Sequence, residues 1–504
     1  MPVSPFRGYY TPILPKGETP SGRLTGFTWF SARRVKCDET RPVCKRCITA
    51  DRECRGYSIA LPLPNRETIS QLWISGRQEI CAEPEPPDWD LTEALNYYYM
   101  ILKPGTPHQP DPDTFHPHFI PSRFICQMMA DQISKASKAR NRLIGPGEDP
   151  AFAGLWLKFH HHMAKCLEII NQTIRGEGKY DKVQIIFGIL YLVYMDIYQK
   201  VSMWHTHIRG FLEYLGHMGG PEVSVQDAGA RICTSIIFML ATPLNTTTPA
   251  RKQITGFDCF TDAQLLQLFG NAAIPDMPCP AEIFIAIVYV TRLRGAIARA
   301  ENGSAIDQDL TLSIDSIPIK VKEIFDNTQQ FDVSKWAEDL LANNQDYWSP
   351  EHSPGSADAL LPMIGEIFCV AVRLYGILAL PEWAVESWAS SASDMRAQTS
   401  RLTSCESAGA LHRQALLVLL RKVCGQITHD EGLAWPLVVA GVAVADGSAD
   451  ERAFVERCLW NVWRLPNTVA SFALVIDKLG AFWRSGKTRW EDCFDEPTQC
   501  APLG

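Results

Sequence analysis

The chain has 504 residues, 46% of them hydrophobic and 21% charged, and its formal net charge is −8. This length allows one to three domains with a large core, and this composition is typical of a soluble globular protein. The longest apolar stretch, Ile185–Tyr198, is interrupted by Asp196 and is too short to cross a bilayer, so we expect a buried helix and no membrane partner.

The charge is divided unevenly along the chain. Residues 1–60 contain eleven lysines and arginines against five acids, so this stretch carries +6 and the remainder carries −14. The first residues contain no apolar run before a small-residue cleavage site, so secretion is not expected. A small basic head on a large acidic body predicts a polyanionic partner at the head only.

Composition divides the chain into five predicted regions. Residues 1–22 are rich in Pro, Gly and Tyr and are predicted to be disordered, whereas 23–57 form a compact, basic segment with four cysteines. Residues 58–90 contain five prolines and are predicted to be a linker, 91–490 a large helical domain, and 491–504 a tail. No sustained heptad follows the basic segment, so a coiled-coil dimerisation arm is not predicted.

Four cysteines in the basic segment follow the pattern Cys37-x6-Cys44-x2-Cys47-x6-Cys54. A Cys-x2-Cys pair with flanking cysteines at equal gaps is typical of a metal site, because two intervening residues allow a turn that directs both thiolates at one ion. The alternative, four core thiols, is disfavoured because the segment lacks apolar periodicity. A segment this short cannot build a hydrophobic core, so metal binding would supply its folding energy.

The stretch GFTWFSARRVKCDETRPVCKRCITADRECRGY, residues 26–57, resembles the fungal Zn2Cys6 binuclear cluster. The family pattern is Cys-x2-Cys-x6-Cys-x6-Cys-x2-Cys-x6-Cys, and every spacing matches if Phe27 and Phe30 occupy the first two ligand positions. The resemblance implies zinc as the cofactor, two ions in the intact family and one at best here. The first ion would keep only Cys37 and Cys44, and the second would keep Cys44, Cys47 and Cys54. Asp38, Glu39, Cys81 or a water could fill a vacant position, and nothing in the spacing selects among them.

The same resemblance implies binding to double-stranded DNA. In the family, a short helix between the second and third ligand positions enters the major groove and contacts guanines of CGG-like triplets. Arg33 and Arg34 occupy those base-reading positions, and Lys36, Lys45 and Arg46 suit phosphate contacts. A guanidinium offers paired donors to guanine O6 and N7, and basic flanks release counterions. The alternative is a solvated basic run or a nuclear localisation signal.

From about residue 91 the pattern predicts helices. Apolar residues recur at three- and four-residue spacing on one predicted helix face, at Phe152, Leu155, Trp156, Phe159, Met163, Cys166, Leu167 and Ile170. Further long apolar runs follow, two-residue alternation is scarce, and breakers occur at Gly145–Pro150, Pro275–Pro280 and Ser349–Pro362. The predicted fold class is therefore mostly α, a small metal-dependent module joined by a linker to a large all-α domain.

This body resembles the fungal-specific transcription factor domain, the second type found after such clusters. The resemblance rests on Trp204-x2-His207-x2-Gly210 followed by Gly219-Gly220, and on Trp435-Pro436-Leu437 with Ala440-Gly441 and Arg452. It implies a regulatory domain and does not identify the ligand or partner of that domain.

Histidine clusters in the body invite a catalytic interpretation, which we reject. Consecutive residues of a helix point in different directions, so a structural or solvated role is expected for His160, His161 and His162. Packing is likewise expected for His205 and His207. No Gly-x-Ser-x-Gly, HExxH or dinucleotide fingerprint is present, so the chain is not expected to be an enzyme.

These features favour a nuclear transcription regulator that binds GC-rich, CGG-like DNA and controls RNA polymerase II transcription of a metabolic pathway, such as secondary metabolism. The alternative is a co-regulator that does not bind DNA and acts through its helical body. A homodimer, a heterodimer and a small-molecule effector all remain open.

Overall fold

The computed structural model describes residues 120–176, 182–197, 203–269, 278–301, 314–343, 357–393, 404–425, 430–465 and 468–495. All regular elements in these ranges are helices, and the ranges contain no strand. This confirms the predicted fold class. The predicted regions 1–22, 23–57 and 58–90 lie outside the described residues.

Seventeen α-helices, α1 to α17, make up the described body. The first eight are Ile120–Ala139, Ala153–Ile174, Lys182–Ile197, Trp204–His217, Pro221–Gln226, Ala228–Thr246, Asp262–Phe269 and Ala281–Glu301. The other nine are Ile317–Gln330, Val333–Asn343, Ala357–Ala379, Glu382–Ser393, Ser404–Val423, Ala434–Ala443, Ala449–Arg464, Phe472–Ser485 and Trp490–Cys493.

The apolar face predicted for Phe152–Ile170 is the buried face of α2. Trp156, Phe159, Cys166 and Ile170 are all at most 4% exposed. Helix α1 packs against this face, and α2 in turn packs on α3, which contacts α4 and α6. The three- and four-residue spacing therefore predicted both the helix and the side that faces the core.

Helix α11 is the centre of the second half of the body. It contacts α8, α9, α10, α12, α13, α14 and α17. Ile364, Val370, Val372 and Leu374 are at most 4% exposed, and they lie on different sides of the helix. Among the described helices, its segment Leu360–Ala379 is long and apolar enough to cross a bilayer, but it is mostly covered by its neighbours, as a core helix must be.

Two predicted boundaries differ from the structure. The break predicted over Ser349–Pro362 is shorter, because α11 begins at Ala357 and includes Pro362. Pro362 lies inside this helix, in its second turn, where its missing N–H removes one backbone hydrogen bond. The tail predicted to begin at residue 491 starts inside the packed body, since Trp490, Cys493 and Phe494 are at most 1% exposed. The apolar surface of these residues holds the segment 490–494 in the core.

Candidate functional site

The residues predicted to bind zinc and DNA lie outside the described residues. They are Cys37, Cys44, Cys47 and Cys54 for zinc, and Arg33, Arg34, Lys36, Lys45 and Arg46 for DNA. Their arrangement in space therefore stays a prediction.

The donor chemistry of these residues limits what the module can hold. Zinc takes four ligands in a structural site and prefers thiolates. Cys44, Cys47 and Cys54 suit one ion that takes its fourth ligand from another group, whereas Phe27 and Phe30 have no donor atom. The first 107 residues contain no histidine that could replace them. The residues present thus fit one zinc ion and do not fit the two-ion cluster.

His160 and His207 are packed side chains, whereas His161 and His205 are exposed. His160 stacks on Trp156 with ring centroids 5.6 Å apart, and burial lowers its pKa to about 4. His207 is buried with its Nε2 4.0 Å from the Asp196 carboxylate, and burial, with His205 nearby, lowers its pKa to about 4. No group of three or more potential ligands in the described ranges is placed to hold a metal ion.

A buried arginine joins three distant parts of the body. Arg294 on α8 has a side chain only 1% exposed, and its Nε donates to the carboxylate of Glu491 on α17. Its Nη1 donates to the carbonyl of Thr246 at 2.9 Å and its Nη2 to that of Thr248 at 2.8 Å, just after α6. Because a buried charge is stable only when paired and fully hydrogen-bonded, these contacts fix α17 against α6 and α8.

Two tryptophans complete this connection. Trp490 Nε1 donates to the Thr246 carbonyl at 2.7 Å, and Trp435 Nε1 donates to the Thr246 hydroxyl at 3.1 Å. The Trp490 ring packs on Tyr375 of α11 with centroids 4.7 Å apart. Burial opposes the charged form of Arg294, but Tyr375 and Glu491 outweigh it and raise the Arg294 pKa above its ordinary value. The Arg294 guanidinium therefore remains charged in this buried network.

A cleft of about 840 Å³ opens beside this network. Its walls come from α8, α11, α12, α13, α14 and the segment that includes α17, and the apolar part is formed by Ile297, Leu374, Ile377, Leu378, Val385 and Val442. In α11, Ile377 and Leu378 are only partly buried, whereas the preceding residues Leu374 and Tyr375 are covered. The cleft has the size and mixed lining of a small-molecule site.

The charged groups of the cleft are distributed between its walls. Arg294 and Glu491 form one ion pair, and Arg413 forms another with Asp446 while donating to the Ala443 carbonyl at 3.2 Å. Cys405 lies on α13, the helix that also carries Arg413, and its pKa is raised to about 11 by burial and by the carboxylates of Glu382, Glu386 and Glu406.

Comparison with known proteins identifies the body. Residues 149–498, more than half of the chain, match the fungal specific transcription factor domain. The chain belongs to this family. Residues 31–63 of the regulator match the fungal Zn(2)-Cys(6) binuclear cluster domain, a range that contains all four predicted cysteine ligands and begins after Phe27 and Phe30. This match implies that the regulator binds zinc.

Two curated relatives are also transcription regulators. The phomenoic acid biosynthesis cluster-specific transcriptional regulator of Leptosphaeria maculans is 23% identical over 500 residues, 92% of this chain and 86% of the relative. The transcriptional regulatory protein moc3 of Schizosaccharomyces pombe is 47% identical over 47 residues, 9% of this chain and 8% of the relative. No solved structure matches the regulator. The chain is a fungal transcription regulator, and its families and relatives are not enzymes, as predicted.

The residues that carried the family resemblance in the body are structural. Trp435 joins the network at Thr246, and Gly441 lies so close to Leu479 that an added Cβ would be 2.8 Å from its Cδ1. Arg452 donates to the carbonyls of Ala445 and Gly447 at 3.1 and 2.7 Å, which secures the turn before α15. Gly219 and Gly220 adopt φ of 111° and 83°, where a side chain would be strained.

Sequence reasoning did not find Arg294, Glu491 or the cleft. The available signal was a pair of arginines, Arg292 and Arg294, that interrupt the apolar sequence of α8, since a buried charge requires a partner. That partner is 197 residues further along the chain, and no local pattern connects the two.

Proposed function

We propose that this regulator is nuclear and binds GC-rich, CGG-like double-stranded DNA through its N-terminal module. Arg33 and Arg34 read guanines, and Lys36, Lys45 and Arg46 contact phosphates. One observation carries the proposal: a zinc-cluster match and a fungal transcription factor domain match occur in this order on one chain. In the proposed organisation, 23–57 are the module, 58–90 the linker, and the helical domain begins near residue 91.

We further propose that the regulator controls RNA polymerase II transcription of a secondary-metabolite pathway. The relative from Leptosphaeria maculans, which aligns over 92% of this chain, is specific for a biosynthesis cluster. The families and relatives of the chain are transcription regulators and not enzymes, so the regulator would act on such a pathway through DNA.

The proposed metal content is one zinc ion per chain. Cys44, Cys47 and Cys54 supply three thiolates, and the fourth ligand is Cys37 or one of the groups that the sequence leaves open. A bound ion would hold Arg33 and Arg34 in one geometry, because the module is too small to fold around an apolar core.

The test combines metal analysis with a mobility-shift assay on the purified full chain. We expect about one zinc ion per chain, and binding to a duplex with CGG triplets that is lost when a chelator removes the metal. Cys44→Ser should abolish both properties, whereas Cys259→Ser, at an exposed cysteine of the body, should change neither. A chain that binds CGG duplexes equally well with and without zinc would contradict the proposed role of the metal.

A second candidate function is favoured by Phe27 and Phe30, which remove two of the six ligands of the family pattern. In this alternative the module does not bind DNA, and the chain acts as a co-regulator through its helical body, alone or paired with an intact relative. The same experiment separates the two, since the co-regulator would contain no tightly held zinc and would shift no duplex. Light scattering of the purified chain would show whether it forms a homodimer.

A further inference from the structure

We propose that Arg373, at the junction of α9, α11 and α13, binds the carboxylate of a small organic acid. The inference goes beyond the proposed function and does not rest on it, because the binding needs neither zinc nor DNA. It is carried by the burial of Arg373, by the neutral character of its protein partners and by the part of its guanidinium that faces solvent.

Arg373 is a buried cation whose hydrogen-bond partners are neutral. The residue is 8% exposed, and its Nε donates to His412 Nε2 at 3.1 Å and its Nη1 to the Thr328 hydroxyl at 3.3 Å. Burial, with the Arg373 charge, lowers the pKa of His412 to about 4 and keeps that ring neutral. Within the described ranges no carboxylate forms an ion pair with Arg373. Glu366, an acid that acts on it, is exposed and lies about two turns earlier in α11.

Arg294 shows the behaviour of a buried guanidinium that is fully paired. It donates to the Glu491 carboxylate and to backbone carbonyls, and although burial opposes its charge, Tyr375 and Glu491 raise its pKa. For Arg373 the balance is the opposite, since burial outweighs every nearby charge and lowers the pKa. Because a buried charge is costly unless it is paired, an anion bound to Arg373 would stabilise the folded body.

Part of the Arg373 guanidinium is accessible to such an anion. A guanidinium carries five N–H groups, and those of Nη2 donate to no described residue. Nη2 is not a buried unpaired atom, so it faces solvent. The Nη1 and Nη2 edge of a guanidinium can donate in parallel to the two oxygens of a carboxylate, a geometry that an ammonium group does not offer.

The surrounding helices hold this guanidinium in one position. Thr328 donates its own hydroxyl hydrogen to the Phe325 carbonyl at 2.8 Å, which leaves its oxygen to accept from Arg373. Helices α9 and α11 lie so close together that a Cβ at Gly376 would overlap the Phe325 ring. His412 secures Nε on the other side. The side chain is therefore ordered before a ligand arrives, which lowers the entropic cost of binding.

The experiment follows the melting temperature of the full-length regulator as sodium acetate is added at constant ionic strength. Acetate should raise the melting temperature saturably, because a ligand that binds the folded chain stabilises it by mass action. Acetamide has nearly the same shape without the charge and should produce no saturable rise. Sodium sulfate carries two charges against one guanidinium, so it should need a higher concentration than acetate for half its effect.

Two variants and a control assign the acetate response to Arg373. Arg373→Met removes the charge and the donors, and it should raise the acetate concentration for half the effect roughly tenfold or more. Arg373→Lys keeps the charge without the parallel donors and should raise it about threefold to tenfold, which tests the site even where the Met variant does not fold. Arg484→Met, at an exposed position on α16, is the matched control and should leave the response unchanged.

Four outcomes would overturn the proposal. They are no saturable response to acetate, acetamide acting like acetate, and sulfate acting at a lower concentration than acetate. The fourth is an acetate response that is the same in the parent chain and in Arg373→Met, or in Arg373→Lys where the Met variant does not fold.

Discussion

Phe27 and Phe30 are the two residues that decide how many zinc ions the N-terminal module can hold. A phenylalanine has no lone pair to donate, and in the proposed alignment each of these side chains stands where the family has a thiolate. Restoring the thiolates is therefore a direct test of the resemblance.

The double variant Phe27→Cys, Phe30→Cys should raise the zinc content from about one to about two ions per chain, because all six ligands of a binuclear cluster would then be present. DNA binding should tighten, since the arginine-bearing helix gains a second metal anchor. Metal analysis and mobility shift measure the two effects. Phe30→Ala serves as the control, because it removes the ring without adding a donor. A zinc content that does not change would show that the two positions are not ligand positions.

His412 illustrates how the environment of one residue makes stability depend on pH. Its Nε2 accepts from Arg373 Nε at 3.1 Å and its Nδ1 faces the Ala408 carbonyl at 2.9 Å. The ring also contacts Trp388. Burial and the Arg373 charge lower its pKa from 6.5 to about 4, so the folded protein keeps this side chain neutral.

The pH prediction follows from that neutral state. Above pH 6.5 His412 is neutral in both the folded and the unfolded chain, and its environment has no effect on stability. As the pH falls toward 4, only the unfolded chain takes up the proton, so stability should fall by about 1.4 kcal/mol per pH unit for this group. His160 and His207 shift in the same direction.

His412→Gln should remove the contribution of one histidine to the pH dependence of stability, while it keeps a hydrogen-bond acceptor for Arg373. Urea unfolding between about pH 5 and pH 6 should show a pH slope shallower by about 1.4 kcal/mol per unit. His217→Gln, at an exposed position on α4, is the control and should leave the slope unchanged. Parallel curves for His412→Gln and the parent chain would contradict the assignment.

At the scale of elements, the four-residue helix α17 is held by contacts rather than by its own length. So short a helix is not stable alone, since nucleation is unfavourable. It persists because Trp490 bonds to Thr246 and Glu491 to Arg294, both far away in the sequence. The end of the body is thus fixed by side-chain contacts with α6, α8 and α11.

Trp490→Ala should lower the free energy of unfolding by about 3–5 kcal/mol, because it leaves a cavity beside Tyr375 and removes a buried hydrogen bond. Trp383→Ala is the matched control: that side chain is 42% exposed, and we expect a change of about 1 kcal/mol or less. Urea unfolding followed by circular dichroism measures both variants. Equal losses would mean that α17 does not depend on its buried ring.

The difference between local patterns and contacts distant in the sequence also explains which features could be predicted from the sequence. Helices such as α2 were predictable because their apolar residues repeat at the period of the helix itself. The start of α11 was placed too late, because proline usually ends a helix, whereas Pro362 lies inside α11 beside the fully buried Leu361 and Ile364. The cleft could not be predicted, because it is the space left between six segments whose packing no local pattern describes. The zinc module could be predicted from the spacing of its cysteines, because that spacing is recognisable without knowledge of the fold.

At the scale of the whole molecule, charge separates the proposed functions. The first 60 residues carry +6 and the rest −14, so the body repels DNA and leaves contact to the head.

This separation predicts how DNA binding depends on salt. Lys45→Ala and Arg46→Ala each remove a proposed phosphate contact, so each should reduce the slope of log K against log salt by about 1 on every duplex.

Arg33→Ala should instead weaken binding by about 1–3 kcal/mol on CGG duplexes, and hardly at all on unrelated ones, because it removes a contact to a base. Arg484→Ala, at an exposed position of the body, is the control for the loss of a positive charge and should change neither quantity. Titrations at several salt concentrations on cognate and scrambled duplexes distinguish the two classes. If Arg33→Ala and Lys45→Ala weakened both duplexes equally, the head would be a general polyanion binder, and the bases would not be read by Arg33.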